Sequence, residues 1–351
     1  MRIHLAPYTI DYIYIYNQVY PVLLINYTYI RKAIPMKHII DVHMHYLPNI
    51  YRASLLAHGT AGSESDGLPA PQWSVESHLE TMDNLGIEKA ILSLASPHPY
   101  WGDPKDSAHI IHTINQEGAY LVKQHPDRFL LAPTLPLPDV EASLKEIAYA
   151  YDELQAVAIK LPTSIGGVYL GNPILAPVWE ELNKRKAVII LHPGPSGYKQ
   201  EGVLENCPPA VLDYMMETTK TIIDMIIKGF FTQYPNVRFV VPHGGALISA
   251  VADRVVGMEG LINMKANPDV HNIKDIFKQL YFDIAGFAVP NQLAALLQMT
   301  DVDHLLYGSD FPYAFPAYIQ GEKEKIEATQ LLSDSDRQKI FRDNAKALFN
   351  L

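Results

Sequence analysis

The distribution of hydrophobic and polar positions changes character at Lys37. From there to the C-terminus, short apolar runs alternate with stretches whose apolar residues recur at helical spacing, which predicts a parallel α/β fold. Each apolar run has the length of one buried strand. The eight predicted strands are Ile39–His43, Lys89–Leu94, Phe129–Thr134, Val157–Leu161, Val188–His192, Arg238–Pro242, Leu280–Ile284 and His304–Tyr307.

Helices are predicted between these strands and after the last of them. The closing helix spans Asp334–Asn350, with Ser333 or Ser335 as its N-cap. Eight strand–helix units favour a (β/α)8 TIM barrel over a doubly wound sheet, so we predict one barrel domain over residues 37–351. No nucleotide-binding glycine motif follows the first strand. The clearest helical stretches are Ser107–Gln124, Val140–Glu153, Ala176–Lys186, Leu212–Gln233 and Asn291–Gln298.

Residues 1–36 do not share this pattern. Tyrosine, isoleucine and valine dominate the segment, and few charges accompany them. It lacks the compact apolar core and the small-residue cleavage site of a secretory signal. We predict a poorly ordered or non-native extension ahead of a natural start at Met36. A surface hairpin or a segment that touches a membrane is the alternative.

Composition narrows the classes of partner. The formal net charge of −10 disfavours nucleic acid and anionic membranes, although a local cation still permits a small anionic substrate. Cys207 is the only cysteine, so no internal disulfide can form, and a cytoplasmic location is expected. No apolar run reaches the roughly 18 residues that a membrane span needs.

Residues that bind metals or transfer protons follow four of the predicted strands. His43 and His45 end the first strand and share one face of it, because side chains two residues apart point the same way. His192, His243 and Asp310 follow the fifth, sixth and eighth strands. In such a barrel the chemistry lies at the carboxyl ends of the strands. Three histidines and one aspartate suit a divalent cation such as zinc, with one position open to water or substrate.

Histidines away from the strand ends have no predicted role in the site. We expect most of them to be solvent-exposed side chains on helices. This group contains His58, His78, His109, His112, His125 and His271.

Four motifs in this order resemble the amidohydrolase superfamily. The resemblance covers about residues 37–351 and looks strongest to the decarboxylase branch related to aminocarboxymuconate-semialdehyde decarboxylase. The motifs are Ile-Asp-Val-His-Met-His-Tyr-Leu-Pro from Ile40, Leu-His-Pro from Leu191, Val-Val-Pro-His-Gly-Gly-Ala from Val240 and Leu-Leu-Tyr-Gly-Ser-Asp-Phe-Pro from Leu305. Further stretches look similar to 6-methylsalicylate decarboxylase-like proteins, namely Trp73–Leu79, His125–Phe129, Gly167–Gly171 and Leu212–Thr219.

The resemblance implies a role for each strand-end residue. His43, His45, His192 and Asp310 would ligate one divalent ion, with zinc favoured and manganese as the second candidate. His243 would handle a proton or the metal-bound water, and Asp310 would be the second catalytic residue. Some decarboxylases have Glu-x-His where this chain has His43-Met44-His45, so their preference for manganese does not transfer directly.

Two further residues matter for the resemblance. Arg254 matches an arginine that reaches the substrate carboxylate from a neighbouring subunit, which implies a homodimer. An exposed helix with an ordinary Asp253–Arg254 ion pair is the alternative. Lys160 lies on the strand where binuclear relatives use a carboxylated lysine, but this branch does not normally use it. We interpret Lys160 as structural, with substrate contact as the alternative.

Three residues near the predicted site have two interpretations each. Asp283 could orient a metal-ligating histidine or form a hydrogen bond within the barrel, and we favour the second role. His98 and Trp101 follow the second strand, where residues often face substrate, so we predict that both bind it. Ordinary surface-loop residues are the alternative for these two.

The predicted function is metal-dependent, non-oxidative decarboxylation of a small aromatic or unsaturated hydroxy-carboxylate similar to 6-methylsalicylate. A metal would bind the carboxylate and an ortho hydroxyl, and no organic cofactor is required. The alternative is a hydrolase that attacks an amide, ester or lactone with the same residues. A non-catalytic metal-binding protein is disfavoured because ligand-type residues end several strands.

Overall fold

Eight parallel strands form the centre of this computed structural model, which describes residues 38–58, 70–195, 202–205, 207–264 and 270–351. The predictions for residues 1–36 lie outside the described residues. All eight predicted strands are present, with ends that shift by a few residues. The strands are β1 Ile39–Tyr46, β2 Ile87–Leu94, β3 Phe129–Ala132, β4 Ile159–Pro162, β5 Val188–His192, β6 Arg238–Val241, β7 Tyr281–Asp283 and β8 Leu305–Leu306.

The strands close into a barrel in chain order. Strands β1 to β3 form one ladder and β4 to β8 another, each with neighbours in sequence order. Bridges between Thr134 and Lys160 and between Met44 and Phe311 join the two ladders into a ring. At the second seam, Asp310 N donates to His43 O at 2.8 Å. The predicted (β/α)8 barrel is therefore confirmed.

Helices connect the strands and differ from the prediction in two places. The predicted helix Leu212–Gln233 is divided at Gly229, which adopts a φ of 70° that ends one helix and begins the next. The closing helix contains a π-helical segment, Lys339–Asp343, and Ser333 caps it as predicted. The helices are α1 Asn49–Ala57, α2 Val75–Leu85, α3 Pro104–Gln124, α4 Val140–Asp152, α5 Ala176–Lys184, α6 Asp213–Ile227, α7 Phe230–Gln233, α8 Ile248–Gly257, α9 Glu259–Asn263, α10 Ile273–Gln279, α11 Asn291–Met299, α12 Pro316–Ala328, α13 Asp334–Gln338 and α14 Asn344–Phe349. Across the described ranges, no helix has both the length and the apolar character that crossing a membrane requires.

Two apolar clusters hold the barrel together. The larger one fills the space between the strands and the surrounding helices. The smaller one occupies the barrel interior, where Leu348 and Phe349 of α14 pack against strand residues. The last helix therefore closes one end of the barrel from below. The strand residues of this interior cluster are Ile40, Val42, Ile91, Ala132, Ala158, Val188, Ile190, Val240 and Leu306.

A β-bulge in β1 determines which side chains face the barrel interior. Between Asp41 and Met44, β1 advances three residues while β2 advances only two. One extra residue reverses the facing of the side chains that follow it. Val42 accordingly belongs to the interior cluster, whereas Met44 packs in the outer one. His43 and His45 therefore both point inwards, above Val42.

A short hairpin after β4 was not predicted. Ser164–Ile165 pairs with Val168–Tyr169 in antiparallel fashion. Its turn consists of Gly166 and Gly167, both with positive φ, which suits the tight turn of a two-residue hairpin. A Cβ atom at Gly166 would lie 2.7 Å from Cε1 of Tyr100, so the hairpin packs closely on the loop after β2.

The closed end of the barrel gives a stability prediction. Leu348 is 2 % exposed, so Leu348→Ala should leave a cavity and lower the free energy of unfolding by about 2–5 kcal/mol. Leu351→Ala is the control, because Leu351 is 40 % exposed and its loss should cost no more than about 0.5 kcal/mol. Denaturant unfolding measures both values. Equal losses in the two variants would contradict the packing of α14 in the barrel.

Candidate metal centre and active site

Five side chains converge at the carboxyl end of the barrel: His43, His45, His192, His243 and Asp310. His43 Nε2 and His45 Nε2 lie 3.2 Å apart, and Asp310 Oδ1 is 3.2 Å from His45 Nε2. One possible ligand atom from each of His43, His192, His243 and Asp310 lies within 4.8 Å of the others. The structure thus brings together all the residues that the sequence predicted for metal binding and proton transfer.

The second nitrogen of three of these histidines is already engaged. The Nδ1 atoms of His43 and His192 donate to oxygen acceptors and that of His45 lies within hydrogen-bond distance of a hydroxyl group, so each Nε2 atom faces the cluster. Histidines that ligate metals are typically oriented in this way. Imidazole lone pairs 3.2 Å apart suit one cation with bonds of about 2.1 Å to each nitrogen. The three bonds join His43 Nδ1 to Asp283 Oδ2 at 3.0 Å, His45 Nδ1 to Ser93 Oγ at 3.2 Å and His192 Nδ1 to Pro193 O at 2.8 Å.

The carboxylate of Asp310 lies between two groups of histidines. Its Oδ1 atom faces His43 and His45, and its Oδ2 atom is 3.6 Å from His243 Nε2. Burial alone would raise the pKa of Asp310, but hydrogen bonds with His243 and His45 hold it well below its usual range. An ionised carboxylate can therefore accept from His243 through one oxygen while the other faces the remaining donor atoms.

The buried histidines differ in their affinity for protons. Burial lowers the pKa of His45 to about 4 and that of His192 well below its ordinary value, so both are neutral near pH 7. Burial would also lower the pKa of His43, but the Asp283 carboxylate beside it raises that pKa to about 9. A cation must compete with this proton, because only a neutral imidazole can ligate a metal.

Asp283 combines the two interpretations made from the sequence. We favoured a hydrogen bond within the barrel over the orientation of a histidine, and the structure shows both kinds of contact, since Asp283 Oδ2 accepts from His43 Nδ1. Its Oδ1 atom accepts from the backbone N–H groups of His243 and Ala285 at 3.1 and 3.2 Å. The reason is geometric: alternate strands of a barrel contribute to the same interior layer, and β1 and β7 are both odd-numbered.

His243 stands on a strained turn that one distant side chain holds. From His243 to Ala246 the backbone keeps positive φ values, and two of these residues are not glycine. Gln292 Nε2 donates to His243 O at 2.8 Å and to Ala246 O at 2.7 Å. A Cβ atom at Gly244 would lie 2.5 Å from Gln292 Cδ, so the turn leaves no room for a side chain there. Gln292 belongs to no motif, and no pattern in the sequence pointed to its role.

The three residues predicted to bind substrate lie outside this cluster. Both ring nitrogens of His98 are buried and lack a hydrogen-bond partner among the described residues. Trp101 stacks on His58 with ring centroids 4.2 Å apart. Arg254 is exposed on α8, and no described residue forms an ion pair with it.

His78 corrects a prediction made from the sequence. We expected it to be exposed on a helix, but it is fully buried on the face of α2 that packs against the barrel. Its Nδ1 accepts a hydrogen bond from Trp73 Nε1 at 3.0 Å, and its ring packs edge-on against Phe129 and Phe311. Its role is structural.

Comparisons with known proteins agree with this geometry. A family model described as amidohydrolase matches residues 40–351. Decarboxylase yanB of Aspergillus niger is 33 % identical over 324 residues, which cover 88 % of this chain and 87 % of the relative. The 6-methylsalicylic acid decarboxylase acuB of Aspergillus aculeatus is 31 % identical and covers 88 % and 95 %. A crystal structure of an amidohydrolase II superposes with a TM-score of 0.84 at 34 % identity, covering 89 % of this chain and all of the other.

The support of the His243 turn gives a prediction. Gln292→Glu should lower turnover about 10- to 100-fold, because a carboxylate repels the two carbonyl oxygens and displaces His243. The metal content should not change, since the turn carries none of the other four cluster residues. Steady-state kinetics and metal analysis measure both.

Gln298→Glu is the matched control, because Gln298 is exposed on the same helix. It should retain full turnover. Parallel loss of metal and turnover in Gln292→Glu would show that the side chain supports the whole cluster and not His243 alone.

Proposed function

This chain belongs to the amidohydrolase family, and from that premise we propose that it is a metal-dependent, non-oxidative decarboxylase of a small aromatic hydroxy-carboxylate similar to 6-methylsalicylate. The observation that carries the proposal is the Asp310 carboxylate, which faces His45 with one oxygen and His243 with the other. In this proposal, His243 and Asp310 handle a proton beside a cation bound by the other side chains of the cluster. The decarboxylase relatives described above support the reaction type.

We propose His43, His45, His192 and Asp310 as the ligands of one divalent cation. When bound, the cation would supply a Lewis acid that polarises the carboxylate and ortho-hydroxyl oxygens of the substrate. Three imidazoles and one carboxylate favour zinc. Manganese is the second candidate, and solved structures of 5-carboxyvanillate and dihydroxybenzoic acid decarboxylases contain it.

His243 and Asp310 are the proposed proton donors. A proton held between His243 Nε2 and Asp310 Oδ2 would pass to the ring carbon that bears the carboxylate. The new C–H bond removes aromaticity, and the C–C bond then breaks. Its electron pair returns to the ring, CO2 leaves, and solvent replaces the proton on the enzyme. His98 and Trp101 are proposed to bind the substrate.

A direct assay tests the reaction. Purified metal-loaded protein is incubated with 2-hydroxy-6-methylbenzoate and other hydroxybenzoates, and CO2 and the phenol product are measured. We expect both products in equal amounts. Turnover of a lactone, ester or amide without CO2 from any hydroxybenzoate would instead support the hydrolase alternative.

The division of roles among the cluster residues gives a further prediction. Metal analysis should find about one tightly held ion per chain. His192→Ala and Asp310→Ala should lose the metal, whereas His243→Ala should keep it and lose at least about 100-fold in turnover. A metal-free His243→Ala protein would make His243 a ligand. Two ions per chain would instead indicate that Lys160 is carboxylated.

We also propose that the active unit is a homodimer in which Arg254 reaches the partner's substrate. Leu247 is the N-cap of the helix that carries Arg254. Leu247 is 36 % exposed, and its backbone N–H donates to Thr219 Oγ1 at 3.0 Å, next to a helix whose Met216 is 44 % exposed. Exposed arginine and exposed apolar side chains, both present on these neighbouring helices, are enriched at protein–protein interfaces. The cytoplasmic location is likewise proposed from the sequence.

Subunit mixing tests the role of Arg254. Arg254→Ala and His192→Ala should each be inactive alone, and an equal mixture should regain about a quarter of wild-type activity, because half of the dimers then contain one complete site. Co-purification of differently tagged chains verifies that subunits have exchanged. If exchange occurs without recovery, Arg254 acts in its own chain or outside the site.

A further inference from the structure

The loop after β2 is held rigidly around His98. Hydroxyl groups from three other segments donate to its carbonyl oxygens, and Lys160 Nζ lies 3.5 Å from Ala95 O at its start. Loops fixed in this way keep a functional side chain in one position. The three bonds are Tyr313 Oη to Ser96 O at 3.0 Å, Tyr51 Oη to Pro97 O at 2.8 Å and Ser107 Oγ to Pro99 O at 2.7 Å.

Two side chains of this loop, Ser96 and His98, are exceptions within this network. Neighbouring carbonyl groups are paired, yet Ser96 Oγ and both ring nitrogens of His98 are buried without a partner among the described residues. Nearly all buried polar groups in proteins form hydrogen bonds, so such an imidazole indicates a missing ligand. Burial, with the charge of Lys160 as the second cause, holds the pKa of His98 well below its ordinary value. The neutral ring offers one donor and one acceptor.

Lys160 approaches the same loop from β4, with its Nζ atom 3.5 Å from Ala95 O. Ala158 lies in the interior cluster, and strand alternation directs Lys160, two residues later, to the interior as well. Its side chain is 1 % exposed. A buried ammonium group is strongly stabilised by an anionic ligand, because its own hydration has been lost.

The barrel places these two residues across from the proton donors. In a closed ring of eight strands, β2 lies opposite β6 and β4 lies opposite β8. His98 follows β2 and Lys160 lies on β4, whereas His243 follows β6 and Asp310 follows β8. A flat ring bound at the centre would therefore meet His243 and Asp310 on one side and His98 and Lys160 on the other.

We propose that His98 and Lys160 form a subsite for an anionic oxygen of the substrate, either its carboxylate or its ortho phenolate. The substrate identity rests on the proposed function, whereas the subsite rests on the unpartnered histidine and the buried lysine. Lys160 provides a charge-assisted hydrogen bond, and His98 adds a directional neutral one. His98 and Lys160 would together select aromatic acids that have an ionised oxygen on the edge of the ring that faces β2 and β4.

Calorimetric binding to the metal-loaded protein tests this subsite with two probes. The probe 2-methylbenzoate lacks the hydroxyl group, and 3-methylphenol lacks the carboxylate. Lys160→Met should lower the affinity for one probe about 10- to 100-fold, as expected for loss of a charged hydrogen bond. His98→Phe should weaken the same probe about 3- to 10-fold. The probe that is affected identifies the oxygen.

Matched controls and outcomes keep the test decisive. Lys123→Met and His109→Phe alter exposed residues of α3 and should bind both probes as the wild type does. Circular dichroism and metal analysis verify fold and metal content, and Lys160→Gln replaces the methionine variant if that protein does not fold. Unchanged affinities, a wild type that binds neither probe, or loss of metal from the lysine variants would each overturn the subsite. A protein that shows the expected losses but releases no CO2 from hydroxybenzoates would retain the subsite and reject decarboxylation.

Discussion

The carboxylate of Asp283 determines how three strands meet at the centre of the molecule. It is fully buried and accepts hydrogen bonds from the side chain of His43 and from the backbone of His243 and Ala285. Burying an unpaired carboxylate would cost several kcal/mol, so these three donors are required for the carboxylate to stay ionised. One group thereby sets both the tautomer of a proposed ligand and the position of the proposed proton donor. The Asp283 carboxylate therefore links the geometry of proposed metal binding by His43 to that of proposed proton donation by His243.

Backbone strain accompanies this arrangement. Asp310 and His243 have φ values of 62° and 54°, a left-handed backbone conformation that residues other than glycine rarely adopt. Such residues cost about 1–3 kcal/mol each and persist only where their surroundings hold them. Gln292 and Asp283 hold the turn of His243, and the seam with β1 holds Asp310. The cluster is thus preformed, so substrate binding need not supply the free energy to arrange these side chains.

The fold and the cluster were largely predictable because both follow from local patterns. Apolar runs of strand length located all eight strands, and the rule that chemistry lies at strand ends selected His192, His243 and Asp310. The prediction that His43 and His45 share one face assumed a regular strand. It is correct because the β-bulge reverses the facing between Val42 and His43, and the two histidines therefore keep the same face. The contacts of Asp283 and Gln292 with the cluster could not be assigned in this way, since the histidines that they contact lie 40 or more residues away and are brought close only by tertiary packing. The prediction that His78 is exposed was wrong for the same reason, because the sequence alone does not distinguish a polar residue on the buried face of a helix from an exposed one.

The seam between the first and last strands has a consequence for biosynthesis. Asp310 N donates to His43 O, and the side chains of His45 and Asp310 meet although they lie 265 positions apart in the sequence. A ribosome releases β1 early, but the strand that completes its hydrogen bonding emerges only near the end of translation. His43 and His45 therefore lack the neighbouring carboxylate of Asp310 during most of the synthesis of the chain. The proposed metal centre is therefore complete only after Asp310 has left the ribosome, and a chain that ends before β8 lacks that carboxylate even though it contains all four histidines of the cluster.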